Sequence, residues 1–131
     1  MVLDKKRSLY DRDDMGNLLP KEVKLEADKD LPEQLEFEND SVFLIPMTRG
    51  EVKKLFSEVD ISKKDIERDL DGEIITKYIK NPVFTVEDVK FMKPALATVL
   101  VNTIFRESGL DVGRGRKKSV LQAEDDFAKN S

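Results

Sequence analysis

The chain has 131 residues, which is the size of one domain with a modest hydrophobic core. Charged residues make up 38% of it and aromatic residues 7%, so we expect a compact middle and looser ends. The net charge of −4, with both signs interspersed, disfavours nucleic acid as a partner.

The sequence contains no cysteine and no histidine. Disulfides, thiol nucleophiles and thiolate metal sites are thereby excluded, as are the commonest catalytic base and the commonest zinc ligand. We therefore expect a non-enzymatic protein without a cofactor. The sequence predicts neither a signal peptide nor a membrane span, because charge follows directly after the first residues and no apolar run reaches about 20 residues. We expect a cytoplasmic protein with no membrane partner.

Residues 1–33 are predicted to form a poorly packed N-terminal arm. Asp13–Asn17 is rich in turn-forming residues, and it lies between stretches of interleaved charge. Further along, Val23 and Leu25 alternate with charged residues, which is a weak strand signal.

One stretch of this arm partly matches the loop of an EF-hand. Asp11, Asp13 and Glu22 stand at ligand positions, and Gly16 stands at the position of the sharp turn. Met15 occupies another ligand position, and a proline interrupts the loop. The sequence therefore favours an acidic turn, and a calcium-responsive or small regulatory binding module is kept as an alternative function.

Residues 34–110 are predicted to form the compact domain, and it begins with a β-hairpin over residues 34–46. Leu35 and Phe37 alternate with glutamates, Asn39–Ser41 is a turn signal, and Val42–Ile45 is a short apolar run. The sequence indicates helices after this hairpin.

The first predicted helix starts with a capping box at Thr48–Glu51, and Leu55 and Phe56 follow at helical spacing. A second segment starts at Ser62 and is predicted to break at Asp71–Gly72. A third apolar stripe predicts a helix that ends before the proline at position 82, and it comprises Ile74, Ile75, Tyr78 and Ile79.

Another helix start is predicted at Thr85–Asp88, and it leads into the most apolar stretch of the chain, residues 91–109. Pro94 suits a first helical position, and Gly109 suits the residue just past a helix end. A helix that is apolar nearly all round is buried. The predicted fold is therefore α+β and mainly helical: an N-terminal β-hairpin followed by about four helices packed around a central apolar helix.

Residues 111–131 are predicted to form a flexible basic linker and a short C-terminal helix. Four basic residues of this linker are candidates for contact with phosphate, namely Arg114, Arg116, Lys117 and Lys118. No aromatic residues interleave with them and acids follow closely, so the sequence favours a solvated linker over a nucleic-acid site.

Three segments precede the apolar helix: Ser8–Pro20, Ile45–Glu51 and Glu73–Thr85. In their order and character they resemble the small tail assembly chaperones of tailed phages and proviruses. In that family a short β-element precedes a helical body, and the protein covers the tape-measure protein before the tail tube polymerises around it.

The resemblance implies a non-enzymatic protein with a helical client, which is the tape-measure protein or another helical protein. The client is then expected to bind in a helix-in-groove manner on apolar helix faces, and the candidate contact residues are Leu55, Phe56, Ile74 and Tyr78. It also implies an exposed apolar patch larger than is usual for a monomer, and self-association is compatible with such a surface.

Overall fold

The computed structural model describes residues 2–26, 39–62 and 68–110. After a short 3-10 helix at Lys5–Ser8, these residues form three strands and four helices. In chain order they are β1 (Lys21–Lys24), β2 (Ser41–Leu44), α1 (Arg49–Ser62), α2 (Leu70–Tyr78), β3 (Ile79–Asn81), α3 (Val86–Lys90) and α4 (Pro94–Glu107). The predicted α+β class is confirmed.

The three strands form one antiparallel sheet in the order β1-β2-β3. The predicted apolar strand after residue 41 is β2, and its partners among the described residues are β1 and β3. Leu35 and Phe37, the other half of the predicted hairpin, lie outside the described residues.

Strand β1 lies inside the segment predicted as a loose arm. Val23 pairs with Val42, and Leu25, just after the strand, is buried in the core. The sequence signal was weak because β1 depends on pairing with a strand that is distant along the chain. Residues 21–25 therefore pack with the sheet. The prediction that the other residues of the segment 1–33 form a loose arm, separate from the compact domain 34–110, stays a prediction.

The capping box at the start of α1 is confirmed. The Glu51 N–H donates to the Thr48 hydroxyl at 3.3 Å, and the Thr48 N–H donates to the Glu51 carboxylate at 3.1 Å. The segment predicted to start at Ser62 continues into residues 63–67, which lie outside the described residues.

The predicted break at Asp71–Gly72 is wrong, because both residues lie in the first turn of α2. Asp69 is the N-cap of this helix, and its carboxylate accepts the Gly72 N–H at 2.9 Å. The glycine therefore serves the start of the helix. The prediction that Ile79 continues the helix is also wrong, because Ile79 begins β3 and pairs with Leu44.

The absence of a side chain at Gly72 allows the close approach of the Asp69 cap. A Cβ atom at position 72 would meet the Asp69 carboxylate, with its Cγ only 2.9 Å away. We expect Gly72→Ala to be nearly neutral, since its helix-propensity gain of about 1 kcal/mol is offset by loss of a cap worth about 1 kcal/mol. In an Asp69→Ala background the same substitution should stabilise by about 0.5–1 kcal/mol. Chemical denaturation of the four variants measures this coupling, and equal effects in both backgrounds would contradict it.

Helix α3 begins, and α4 begins and ends, where the sequence predicts, but α3 stops at Lys90 instead of leading on into α4. Thr85 and Asp88 form a second capping box, Pro94 is the first residue of α4, and Gly109 follows α4 with a φ of 80°. Helix α4 contributes five buried apolar side chains to the core, namely Val99, Leu100, Val101, Ile104 and Phe105. The packing of the other helices around α4 stays a prediction.

Backbone and side-chain bonds tie the start of α1 to distant parts of the chain. The Met47 N–H donates to the Ser108 hydroxyl at 2.9 Å, and the Tyr10 hydroxyl donates to the Met47 carbonyl at 3.0 Å. Lys21 of β1 forms an ion pair of 2.8 Å with Glu107 of α4. These contacts link the N-terminal segment and the sheet to the helices.

Candidate protein-binding surfaces

Three of the four predicted client-binding residues lie together in a groove of about 250 Å³ that α1 and α2 border. Leu55, Ile74 and Tyr78 line it, but only 8%, 3% and 5% of their surfaces are exposed. The fourth, Phe56, is half-buried and packs against the core. These side chains contribute mainly to the core, and their role in binding stays a prediction.

The other side chains around this groove, called here the α1–α2 groove, are largely charged. Arg68 forms ion pairs with Glu58 at 3.0 Å and with Glu73 at 2.9 Å. Lys77 forms another, with Glu51 at 3.4 Å. A narrow opening bordered by ion pairs leaves little apolar area for a client helix.

Glu51 is the most heavily hydrogen-bonded carboxylate of the groove. It accepts the Tyr78 hydroxyl at 2.7 Å as well as the N–H and hydroxyl of Thr48. Partial burial raises the pKa of Glu51, but the hydrogen bonds from Thr48 and Tyr78 and the charge of Lys77 together lower it below 4.5. Burial and the bond to Glu51 raise the pKa of Tyr78. This hydrogen-bonded group therefore acts as a structural link between α1 and α2.

The lowered pKa of Glu51 predicts a loss of stability in acid. Because the ionised form is favoured in the folded state, its contribution is complete above the unfolded pKa near 4.5 and is lost as the pH falls through the lower folded value. We expect Glu51→Gln, which keeps an oxygen for the cap, to flatten the dependence of the unfolding free energy on pH below about 4.5. Urea unfolding at stepwise pH measures it. An unchanged slope would show that Glu51 does not titrate with folding.

A second surface is exposed and apolar, and it surrounds α3. Val83, Val86 and Phe91 expose 76%, 69% and 80% of their surfaces. Val83 also borders an open cleft of about 630 Å³, lined by Asp40, Val83, Phe84, Asp88, Met92, Lys93 and Leu96. We call the three exposed side chains and this cleft the α3 surface.

The exposure of this surface follows from the shortness of α3. The helix has five residues, and none of them is buried. A helix this short has no second full turn whose side chains could cover Val86. Phe91 is the residue that ends the helix, outside the buried part of α4. Sequence reasoning assigned residues 85–91 to the approach of the core helix and missed this surface. The available signal was the apolar residues Val83 before α3 and Phe91 after it.

In the acidic turn of the N-terminal segment, the Asp13 carboxylate is hydrogen-bonded by backbone groups of the turn itself. Asp13 accepts the N–H groups of Met15 and Asn17, each at 2.9 Å, while Glu22 lies on β1 and accepts the Ser41 hydroxyl at 2.8 Å. Among the described residues, no three acidic side chains come together as a metal site would require. The calcium alternative thus gains no support. The basic residues 114–118 lie outside the described residues.

Comparison of the chain with protein-family models, with curated proteins and with solved structures finds no match. Within residues 2–26, 39–62 and 68–110, no helix has the length and apolar character needed to cross a membrane.

Proposed function

We propose that this chain is a non-enzymatic protein-binding protein that covers an apolar helical client, and specifically a phage tail assembly chaperone acting on the tape-measure protein in the host cytoplasm. The observation that carries the proposal is the α3 surface. The order of sequence features gives the chaperone class, and the α3 surface gives a place where such a client would bind.

The energetics of the α3 surface favour a partner. Burying a Val or Phe side chain is worth about 1.5–3 kcal/mol, so leaving three of them in water forgoes much of that stabilisation. Single exposed apolar residues are ordinary on proteins, whereas an exposed apolar residue that continues the apolar lining of a cleft marks a candidate binding surface. Val83 both lines the cleft and is 76% exposed, so the apolar area continues from the cleft to the surface around it.

The chemistry of the cleft defines the kind of client. Phe84, Met92 and Leu96 give it apolar walls, while the acidic Asp40 and Asp88 outnumber the one basic residue, Lys93. An amphipathic helix that places apolar side chains in the cleft and basic side chains at its margin would satisfy both. Methionine adapts its shape to different side chains, which suits a client with many similar apolar stretches.

Helix α4 would serve as the framework of this surface. Its first turns supply Leu96 to the cleft, and its later turns are buried among the core residues. We infer that the predicted central helix holds the α3 surface in place. The α1–α2 groove, with Leu55, Ile74 and Tyr78, and the neighbouring Phe56 remain the second candidate contact region for the client.

The proposal is tested first by the genes that flank this one and then by co-expression. A long helical reading frame next to genes for tube and capsid proteins is expected. Co-expression with the product of that frame should raise its soluble fraction and allow both proteins to be purified together. Flanking genes without any virion protein would overturn the tail chaperone assignment. A client that stays insoluble with this chain present would overturn the covering role.

A surface variant ties the co-expression result to the α3 surface. Val83→Asp introduces a charge beside the cleft, and Val2→Asp makes the same change at another exposed valine, 95% exposed, in the N-terminal segment. The first should lower the soluble client and the second should not. Equal behaviour of the two variants would remove the α3 surface from the proposal.

A further inference from the structure

We propose that two copies of this chain associate through the outer edge of strand β1, which joins their sheets into one continuous antiparallel sheet. Strand β1 is the first in the order β1-β2-β3, so one of its edges faces away from β2. The inference concerns self-association, and it does not depend on the identity of a client or on client binding.

The direction of the backbone groups follows from the hydrogen bonds next to the strand. The Leu25 N–H donates to the Asp40 carbonyl at 2.7 Å, which places the backbone groups of Leu25 on the side of β2. Because these groups alternate along a strand, Val23 also faces β2, while Glu22 and Lys24 direct their N–H and C=O groups outward. No described residue pairs with the outward groups. Unpaired groups on an edge strand are a template for another strand.

The sequence of β1 is self-complementary about Val23. A twofold axis at Val23 sets Glu22 opposite Lys24 of the second copy, and Lys24 opposite its Glu22. Both are outward-facing positions, so each pair exchanges two backbone hydrogen bonds. Opposite charges in directly opposed positions stabilise a pair of strands, and here symmetry supplies two such pairs.

The same charges select this register against its neighbours. An axis at Glu22 sets that glutamate opposite its own copy, and an axis at Lys24 sets two lysines opposite each other and Glu22 opposite Glu26. Like charges in opposed positions are destabilising. Of the axes at Glu22, Val23 and Lys24, only the axis at Val23 sets unlike charges opposite each other at the outward positions.

The side chains of β1 are available for this contact. Glu22 and Lys24 are both exposed, and the bond from the Ser41 hydroxyl orients the Glu22 carboxylate on the outer face of the sheet. The opposite edge of the sheet is less suited. Strand β3 has three residues, which leaves a shorter edge than that of β1.

Sedimentation velocity of the full chain over a range of concentrations tests the proposal by charge reversal. The unchanged protein is expected to form dimers. Glu22→Lys and Lys24→Glu each create two like-charge pairs by symmetry, and each should weaken the dimer about tenfold or more. The double variant E22K/K24E restores opposite charges across the axis and should restore the dimer.

Two further variants separate dimer loss from misfolding. Lys53→Glu makes the same charge change on an exposed face of α1 and should leave the dimer intact. Lys24→Pro removes an outward N–H without removing a bond to β2, so it should give a folded monomer. A protein that stays monomeric at every concentration would overturn the proposal. So would single reversals without effect, or a double variant that remains monomeric while folded.

Discussion

Replacing Phe105 with alanine is expected to lower the free energy of unfolding by about 3–5 kcal/mol. Phe105 lies near the end of α4 with none of its surface exposed, and it is the largest fully buried side chain among the described residues. The substitution removes apolar contacts and leaves a cavity that the surrounding helices and sheet can fill only in part. Because small domains are stable by only about 5–15 kcal/mol in total, this is a large share of the stability.

Urea denaturation followed by circular dichroism measures this loss. Phe43→Ala is the matched control, since Phe43 lies on the opposite, outer face of the sheet and is 38% exposed. The control should cost clearly less. Equal losses at the two positions would mean that α4 is not held in the core as the structure describes it.

Features fixed by neighbouring residues could be predicted from the sequence. The capping box at Thr48–Glu51 and the helix start at Thr85–Asp88 lie where the sequence predicts them, as do Pro94 at the start of α4 and Gly109 just past its end. Each depends on interactions within about four residues, which a local pattern records. For that reason the helix starts were predicted with more success than the pairing of strands.

Features fixed by distant residues could not be predicted in this way. Strand β1 is stabilised by its pairing with β2. Ile79, which has helical spacing in the sequence, lies in β3 because it pairs with Leu44. Gly72 resembles a helix breaker until the Asp69 cap is seen to approach it. In each case a tertiary contact or cap outweighs the local propensity of the residue.

Which apolar residues are exposed for binding is also a feature that local sequence patterns do not determine. An apolar stripe on a helix is required equally by a core and by an interface, so the sequence alone does not show that Leu55, Ile74 and Tyr78 are buried. Val86 and Phe91 do not form an apolar stripe with helical spacing, so periodicity does not single them out. Their exposure depends on how short α3 is in the folded chain, and periodicity alone does not determine that.

Replacing Phe91 with serine is expected to weaken client binding by about 2 kcal/mol, or about thirtyfold, if the α3 surface is the docking face. Phe91 exposes 80% of its surface and has the size of an aromatic anchor residue. The change removes no core contact, so the free energy of unfolding should stay within about 0.5 kcal/mol of its original value. Loss of affinity with retained stability is the signature of a binding residue.

The measurement uses calorimetry with an apolar helical fragment of the co-purified client, and the dye ANS reports exposed apolar surface independently of any client. Phe43→Ser serves as the control, because it makes the same substitution on the outer face of the sheet. Phe91→Ser should reduce both the client affinity and the ANS signal, and the control should retain the affinity. A variant that loses the ANS signal but keeps the affinity would place the client elsewhere, with the α1–α2 groove as the remaining candidate. A variant that loses stability as well would show that Phe91 packs within the fold.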